Sequence, residues 1–181
     1  MSIPEPSRRR LMLLRHAKSD WPDGVDDHDR PLLAGRGRQA GALMGTYMAK
    51  EGLVPDLALV STARRAQETW ALAGLAFVPP VARRDEPRIY EAAVGSLFEV
   101  VREADAQVRT LLLVGHNPGL HGLALTLVGA GGAEDLALLR AKYPTAGLAV
   151  IDFGVGGWDR LRPATGTLER FVTPRSIDPA R

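Results

Sequence analysis

Two histidines in this sequence each follow a short apolar run that has the length of a buried β-strand. Arg15 and His16 come directly after the run 11–14, and His116 comes one residue after the run 111–114. Because α/β proteins place ligand chemistry at the carboxyl edge of a parallel sheet, we expect both imidazoles at that edge. A neutral imidazole can attack phosphorus, and a guanidinium can hold phosphoryl oxygens through paired hydrogen bonds. These residue types suit the hydrolysis of a phosphomonoester or a phosphoramidate.

The elements that must position these residues alternate between apolar runs and helical periodicity along most of the chain. This order predicts an α/β fold: a three-layer sandwich with a mostly parallel central sheet, helices on both faces and antiparallel strands near the C-terminus. Further strands are expected at 56–60, 109–114 and 148–153, and helices at 31–52, 64–75, 96–104 and 118–128. Other segments fit an exposed loop (20–30), a short edge strand (88–91), glycine-rich turns (129–132 and 154–157) and a closing hairpin (158–161 with 168–172).

Size and composition limit the class of protein. The chain has 181 residues, of which 45% are hydrophobic. This fits one soluble domain over residues 10–175, with a flexible arm at 1–9 and a tail at 176–181. The absence of cysteine excludes a thiol nucleophile and a disulfide framework. No apolar stretch reaches the roughly 20 residues of a membrane span, and the first residues lack a signal-peptide core, so we expect a cytoplasmic protein with no membrane partner.

Charged runs give no strong indication of other functions. The net charge of +2 is too small to require a polyanionic partner, and no nucleic-acid-binding motif accompanies the basic run 8–10, so nucleic acid is not expected. That run is interpreted as part of a solvated arm, with contact to an acidic partner as the alternative. Adjacent side chains in Asp26–Asp29 cannot all face one ion, so no metal or other cofactor is expected. His121 lies off the helical face of His116 and is interpreted as structural.

Three motifs in a fixed order resemble the histidine phosphatase superfamily, also called the phosphoglycerate mutase-like family. They are Arg15-His16, then Ser61 with Arg65, Ala66 and Thr69, then Gly115-His116. The resemblance covers Leu11 to about Phe153. Within the superfamily, the phosphohistidine phosphatase branch typified by the bacterial SixA proteins is similar in residues 15–19, in Arg30-Pro31-Leu32 and in Gly115-His116-Asn117-Pro118.

The resemblance implies a role for four of these side chains. His16 would be the nucleophile that becomes phosphorylated, and Arg15 and Arg65 would hold the phosphoryl oxygens. The family spacing from Ser61 selects Arg65 over Arg64, which is expected at the surface. His116 would be the second histidine, donating to the phosphoryl oxygens and protonated when phosphate is bound.

Other positions follow from the resemblance less directly. Glu91 is the candidate proton donor to the leaving group, with Glu86, Asp85 or a plain loop role for Glu91 as alternatives. Residues expected to line the phosphate pocket are Arg30, Lys18, Ser19 and Asn117, although a loop role competes for the first three.

The expected function is a metal-independent phosphatase that works through phosphorylated His16. Protein phosphohistidine is the preferred substrate because no large insertion roofs the pocket. The alternatives are a small-molecule phosphomonoesterase of the same superfamily and a non-catalytic phosphate-binding module. The partner is therefore expected to be a phosphorylated protein of the histidine-phosphotransfer type or a small phosphorylated metabolite, and phosphate or sulfate is expected to bind.

Overall fold

The first apolar run forms strand β1 (Arg9–Arg15), whose residues 11–14 are fully buried and therefore need cover on both faces of a sheet. The computed structural model describes residues 8–180 and places β1 near the middle of a seven-stranded sheet. The other strands are β2 (Leu57–Val60), β3 (Ala82–Asp85), β4 (Thr110–Gly115), β5 (Val128–Gly131), β6 (Leu148–Phe153) and β7 (Gly166–Val172).

The sheet has the strand order β3-β2-β4-β1-β6-β7-β5. Strand β6 runs antiparallel to β1 and to β7, whereas the remaining pairings are parallel. In the parallel pair of β1 and β4, Arg15 lies opposite Gly115, so the residues after both strands leave the sheet at the same edge. The order confirms the predicted mostly parallel sheet with antiparallel strands toward the C-terminus.

Helices cover both faces because successive residues of β1 enter opposite cores. Leu11 and Leu13 belong to the core that contains side chains of α3, α4 and α5, and Met12 and Leu14 belong to the core formed with α1 and α2. This confirms the three-layer sandwich. The helices are α1 (Arg36–Lys50), α2 (Arg64–Ala73), α3 (Val94–Arg102), α4 (Gly119–Leu127), α5 (Ala133–Ala141) and α6 (Pro174–Ile177).

Helix α1 approaches its neighbours closely at glycines. A Cβ atom built on Gly45 would lie 2.2 Å from the carbonyl oxygen of Ala73 in α2, and one built on Gly37 would lie 2.2 Å from the carbonyl oxygen of Lys18. Both partners are backbone, so neither can move aside cheaply. Glycine at these positions therefore lets α1 hold α2 and the segment after β1 in fixed relation.

Two predicted strands were wrong. Residues 87–89 form a 3-10 helix, and the edge strand is β3, whose residues are all exposed and carry no apolar pattern. Residues 158–160 also form a 3-10 helix, so β7 pairs with β6 and not with a hairpin partner at 158–161.

The predicted turn at 129–132 and the predicted start of the first helix at residue 31 were also wrong, because tertiary contacts outweigh the local sequence pattern there. The glycines at 129 and 131 lie in β5, which pairs with β7, and the unpredicted helix α5 follows it. Helix α1 begins at Arg36, after Pro31, because Leu32 forms a bridge with Ser19 before the chain turns into the helix.

Near both predicted domain bounds, described residues lie in regular elements or contact them. Arg9 begins β1 and is buried, and Arg8, which directly precedes the strand, pairs with Asp152 of β6, as Arg10 does. The rest of the predicted arm, residues 1–7, lies outside the described residues. Helix α6 crosses the predicted boundary between 175 and 176. Within residues 8–180, no helix has the length and apolar character to cross a bilayer.

Candidate functional site

The two histidines meet at the carboxyl edge of the sheet, as predicted. The backbone N–H of His16 donates to the carbonyl of Gly115 at 3.0 Å, which continues the pairing of β1 with β4 by one residue. The imidazole rings of His16 and His116 lie 5.2 Å apart between centroids. Both side chains are buried, with 6% and 8% of the residue exposed.

The backbone fixes the tautomer of His16. Its Nδ1 lies 2.7 Å from the carbonyl oxygen of Ala17, and since a carbonyl can only accept, Nδ1 carries the proton and Nε2 keeps its lone pair. Burial lowers the pKa of His16 to about 3, and the positive charges of its neighbours act in the same direction, although the bond to Ala17 opposes them. The ring is therefore neutral near pH 7, as a nucleophile must be.

His116 is held by the end of strand β2. Its Nε2 lies 2.7 Å from the hydroxyl oxygen of Ser61, and the backbone N–H of Ser61 donates to the carbonyl of Val114. Burial lowers the pKa of His116 to about 4, with Arg65 acting in the same direction and Asp27 opposing it. The predicted protonated state therefore requires an added negative charge beside the ring, such as a phosphate dianion.

Two arginines adjoin the imidazoles. Arg15 donates to the carbonyl of Tyr143 at 2.9 Å, and burial together with the charge of Arg65 lowers its pKa. Arg65 lies in the first turn of α2 with only 6% of the residue exposed. Arg64, in contrast, is exposed and pairs with Glu68, so the structure places Arg65 and not Arg64 beside the imidazoles.

Three buried nitrogens in this cluster have no hydrogen-bond partner among the described residues. They are Nε of Arg15, Nε of Arg65 and Nδ1 of His116. Buried polar atoms are rarely left unpaired, because desolvation without a partner costs about 1–3 kcal/mol each. The cluster thus has unused capacity to donate to an acceptor.

Asp27 is a site residue that the sequence analysis missed. Its backbone carbonyl accepts from Nη1 of Arg65 at 2.6 Å, and its carboxylate accepts from Arg65 at 3.2 Å, from Arg30 at 2.8 Å and from the Tyr90 hydroxyl at 2.6 Å. The Tyr90 hydroxyl is the main cause that lowers the pKa of Asp27 to about 2, and the two guanidiniums add to it. Asp27 lies within residues 20–30, which the sequence analysis predicts to be an exposed loop. The available indication of its role was that Arg30 and Arg65, both buried in the structure, had no carboxylate assigned to them.

Tyr90 was also missed, although it directly precedes the candidate acid. Its ring lies 5.6 Å from that of His116 and 4.9 Å from that of His28 between centroids. Burial and the bond to Asp27 raise the pKa of Tyr90 to about 12, so the hydroxyl stays protonated and donates. Tyr90 therefore joins Asp27 to the imidazole cluster.

The hydroxyls of Thr69 and Tyr143 hold the backbone segments that carry the site. The Thr69 hydroxyl accepts from the N–H of Ala17 at 2.9 Å and donates to the carbonyl of Arg65 at 2.6 Å, which ties the segment after His16 to α2. The Tyr143 hydroxyl donates to the carbonyl of Leu13 and accepts from the N–H of Ala149.

Of the predicted pocket residues, Arg30, Ser19 and Asn117 contact the cluster or its supports. Arg30 is buried and donates to Asp27, to the Ser19 hydroxyl and to the carbonyl of Asp20. Asn117 donates to the Tyr143 carbonyl at 3.0 Å, the same atom that accepts from Arg15. Lys18 is exposed, two residues beyond His16.

The candidate acid Glu91 lies in an exposed turn directly after Tyr90, with a left-handed backbone (φ 51°). Its charge contributes to the raised pKa of Tyr90. The two alternatives are occupied elsewhere: Glu86 accepts from Arg88, and Asp85 accepts from Gln67 and Arg83. The role of Glu91 as proton donor stays a prediction.

Asp27, His28 and His121 each have partners of their own. Within residues 8–180, no three histidine, aspartate or glutamate side chains are grouped so that they could hold a metal ion. In the run Asp26–Asp29, Asp27 contacts Arg65, whereas His28 contacts the Thr62 hydroxyl at 3.0 Å. His121 bonds the carbonyl of Leu139 at 2.6 Å, a structural contact between α4 and α5.

Comparison with known proteins relates this site to a family. The profile of the histidine phosphatase superfamily (branch 1) matches residues 11–107. An uncharacterized protein of Mycobacterium tuberculosis (strain CDC 1551 / Oshkosh) is 38% identical over 164 residues, which cover 90% of this chain and 100% of that protein.

Solved structures agree with that match. A crystal structure from Agrobacterium tumefaciens, assigned as phosphohistidine phosphatase SixA, is 31% identical with a TM-score of 0.77 and covers 92% of this chain and 98% of its own. A structure from Nakamurella multipartitia with the same assignment is 27% identical with a TM-score of 0.79, covering 92% of this chain and 96% of its own. The chain therefore belongs to the histidine phosphatase superfamily, on its SixA-like branch, and is a phosphatase.

Proposed function

We propose that this phosphatase hydrolyses its substrate in two steps through a phosphohistidine on Nε2 of His16, without requiring a metal ion. The observation that carries the proposal is the buried cluster of two neutral imidazoles and two guanidiniums, in which three nitrogens, two of them guanidinium donors, lack partners among the described residues. A phosphoryl group offers three equatorial oxygens to such donors. The guanidiniums supply the positive charge that a metal supplies in other phosphatases.

In the first step, the lone pair of Nε2 forms a bond to phosphorus while the bond to the leaving group breaks. The leaving group departs with its electron pair and takes a proton, from Glu91 if it is an alkoxide. An imidazole leaving group needs much less help, because its conjugate acid has a pKa near 6.5. In the second step, water attacks phosphorus, the bond to Nε2 breaks and the water proton passes to solvent or to the same carboxylate.

We propose protein phosphohistidine as the substrate. The similarity to the Agrobacterium protein assigned as a phosphohistidine phosphatase supports this choice. The exposed position of Glu91 supports it as well, since a carboxylate in water is a weaker aid to an alkoxide than one built into the pocket. Small phosphomonoesters remain the alternative substrates.

Labelling by a phosphoryl donor tests the intermediate. We expect an acid-labile, base-stable phosphoryl label on the wild-type protein and none on His16→Ala, whereas His121→Ala, which alters a histidine outside the cluster, should label normally. Labelling of His16→Ala would reject His16 as nucleophile. A substrate set of phosphohistidine proteins, sugar phosphates and nucleotides, assayed before and after chelation of metals, tests the substrate and the metal independence. Loss of turnover on chelation would contradict the latter.

A further inference from the structure

A groove of about 840 Å³ lies beside the histidine cluster and takes no part in the contacts described above. It is bounded by the start of α1, the end of α5 and the segment from β7 into α6. Lys18, two residues beyond His16, lines its near side, and Pro144, next to the Tyr143 that supports Arg15, lies in its wall. The groove therefore opens next to the site where the phosphoryl group is proposed to bind.

The sheet sets the distance between groove and nucleophile. Strands β1 and β7 both run antiparallel to β6, so their carboxyl ends point the same way, and Leu14, Leu148 and Val172 lie in one row across them. Adjacent strands are about 4.8 Å apart, which places the end of β7 about 10 Å from the end of β1. A ligand held on His16 reaches the far side of the groove, at the end of β7, only if it extends about that far.

The charged residues that line the groove are all basic: Lys18, Arg36, Lys142 and Arg175. Lys18, Lys142 and Arg175 form no ion pair with an acidic side chain among residues 8–180. Their charges therefore add to one another and favour an anionic occupant.

The wall between these charges is mostly apolar, although Gln39, Thr145, Thr173 and Ser176 also line it. Leu138 of α5, of which 49% is exposed, lines the groove together with Pro174 and Phe171. An apolar wall with a cationic rim fits an amphipathic, acidic polypeptide better than a small sugar phosphate, which has little apolar surface to bury.

We propose that this groove docks the acidic, amphipathic segment that flanks the phosphohistidine of a protein substrate. This inference rests on the proposed function. On a helix, side chains four and seven positions from the phosphohistidine share its face, and the more distant one lies about 10.5 Å away along the axis. That length matches the separation of β1 from β7, so acidic side chains at these positions would meet Lys142 and Arg175.

Two helical peptides with one phosphohistidine test the proposal, one with glutamates and one with glutamines at the positions four and seven residues away. In the double variant Lys142→Glu/Arg175→Glu, we expect kcat/KM on the glutamate peptide to fall about tenfold. Turnover of the glutamine peptide and of free phosphohistidine should stay within about twofold. The variant Arg140→Glu/Arg109→Glu has the same charge change at exposed positions outside the groove and should leave both peptides unaffected.

Equal effects of the groove variant on both peptides, or no effect on either, would overturn the docking site. If the groove variant selectively lost turnover of a bisphosphorylated sugar and kept turnover of the glutamate peptide, the proposal that the groove binds a polypeptide would be overturned.

Binding measured without turnover separates this proposal from the proposed function. In the His16→Ala background, fluorescence anisotropy should show weaker binding of the labelled glutamate peptide when Lys142 and Arg175 are reversed. Groove-dependent binding of a peptide that the wild-type protein does not hydrolyse supports the docking site and rejects the protein substrate. Hydrolysis with groove-independent binding rejects the docking site alone.

Discussion

Acid should destabilise this protein through His16 and His116, and the loss of stability should begin below about pH 6.5. Burial lowers the pKa of His16 to about 3 and that of His116 to about 4, whereas both side chains have values of about 6.5 in the unfolded chain. The unfolded state therefore binds protons that the folded state does not. The free energy of unfolding must fall as the pH drops below about 6.5.

The size of the effect follows from these values. Between about pH 6.5 and pH 5 both folded rings stay neutral, so each lowers the free energy of unfolding by about 1.4 kcal/mol per pH unit. Over that interval each histidine accounts for about 2 kcal/mol and the pair for about 4 kcal/mol. This is a large part of the 5–15 kcal/mol that is typical of a domain.

Urea unfolding followed by circular dichroism at about pH 7 and about pH 5 measures the loss. His16→Gln and His116→Gln should each remove about half of it. Leu123→Ala, which opens a cavity in the apolar core between α4 and the sheet, should lower stability by about 2–5 kcal/mol at both pH values without changing the difference between them. If the loss of stability between about pH 7 and about pH 5 were as large in the histidine variants as in the wild-type protein, the buried, neutral state of these rings would be refuted.

Three further substitutions test other parts of the site and its support. Asp27→Asn should lower the free energy of unfolding by about 1 kcal/mol near pH 7, a value reduced for the partial exposure of the carboxylate. Because the pKa of Asp27 in the folded protein is lowered to about 2, this loss of stability should shrink below about pH 4. A loss that stays constant down to about pH 3 in urea unfolding would contradict this. Glu91→Gln should slow alkyl phosphate hydrolysis steeply and spare phosphohistidine; equal rates for every substrate would reject Glu91 as the acid. Gly45→Ala should lower stability by about 1–3 kcal/mol and reduce Tm, whereas Gly95→Ala, which meets open space in α3, should not; equal Tm values would show that α1 can move away from α2.

The sequence was sufficient for the parts of the fold that carry an apolar run or a motif. The runs before His16 and His116 are buried on both faces, which makes them central strands, and parallel pairing then brings their ends together. The choice of Arg65 over Arg64 came from the spacing to Ser61 in the family that the motif resembles. In the structure that spacing runs from the end of β2 to the first turn of α2.

The residues that the sequence analysis missed are those whose partners are distant along the chain. Asp27 meets Arg65 across 38 positions, and Tyr143 meets Arg15 across 128. Neither residue type is unusual in a loop, so no local pattern marks them. Strand β5 was missed for a related reason: residues 128–131 have little strand propensity and are extended because they pair with β7.

The partner that Arg65 already has affects how this phosphatase could release its product. Under the proposed mechanism, inorganic phosphate contacts a guanidinium that the carbonyl and carboxylate of Asp27 also engage. The free energy of phosphate binding is then only the difference between the hydrogen bonds that Arg65 makes to phosphate and those that it makes to Asp27. When phosphate leaves, the guanidinium keeps its hydrogen bonds to Asp27. Under the same proposal, this internal carboxylate would moderate product inhibition, with a charge that stays constant across the physiological pH range.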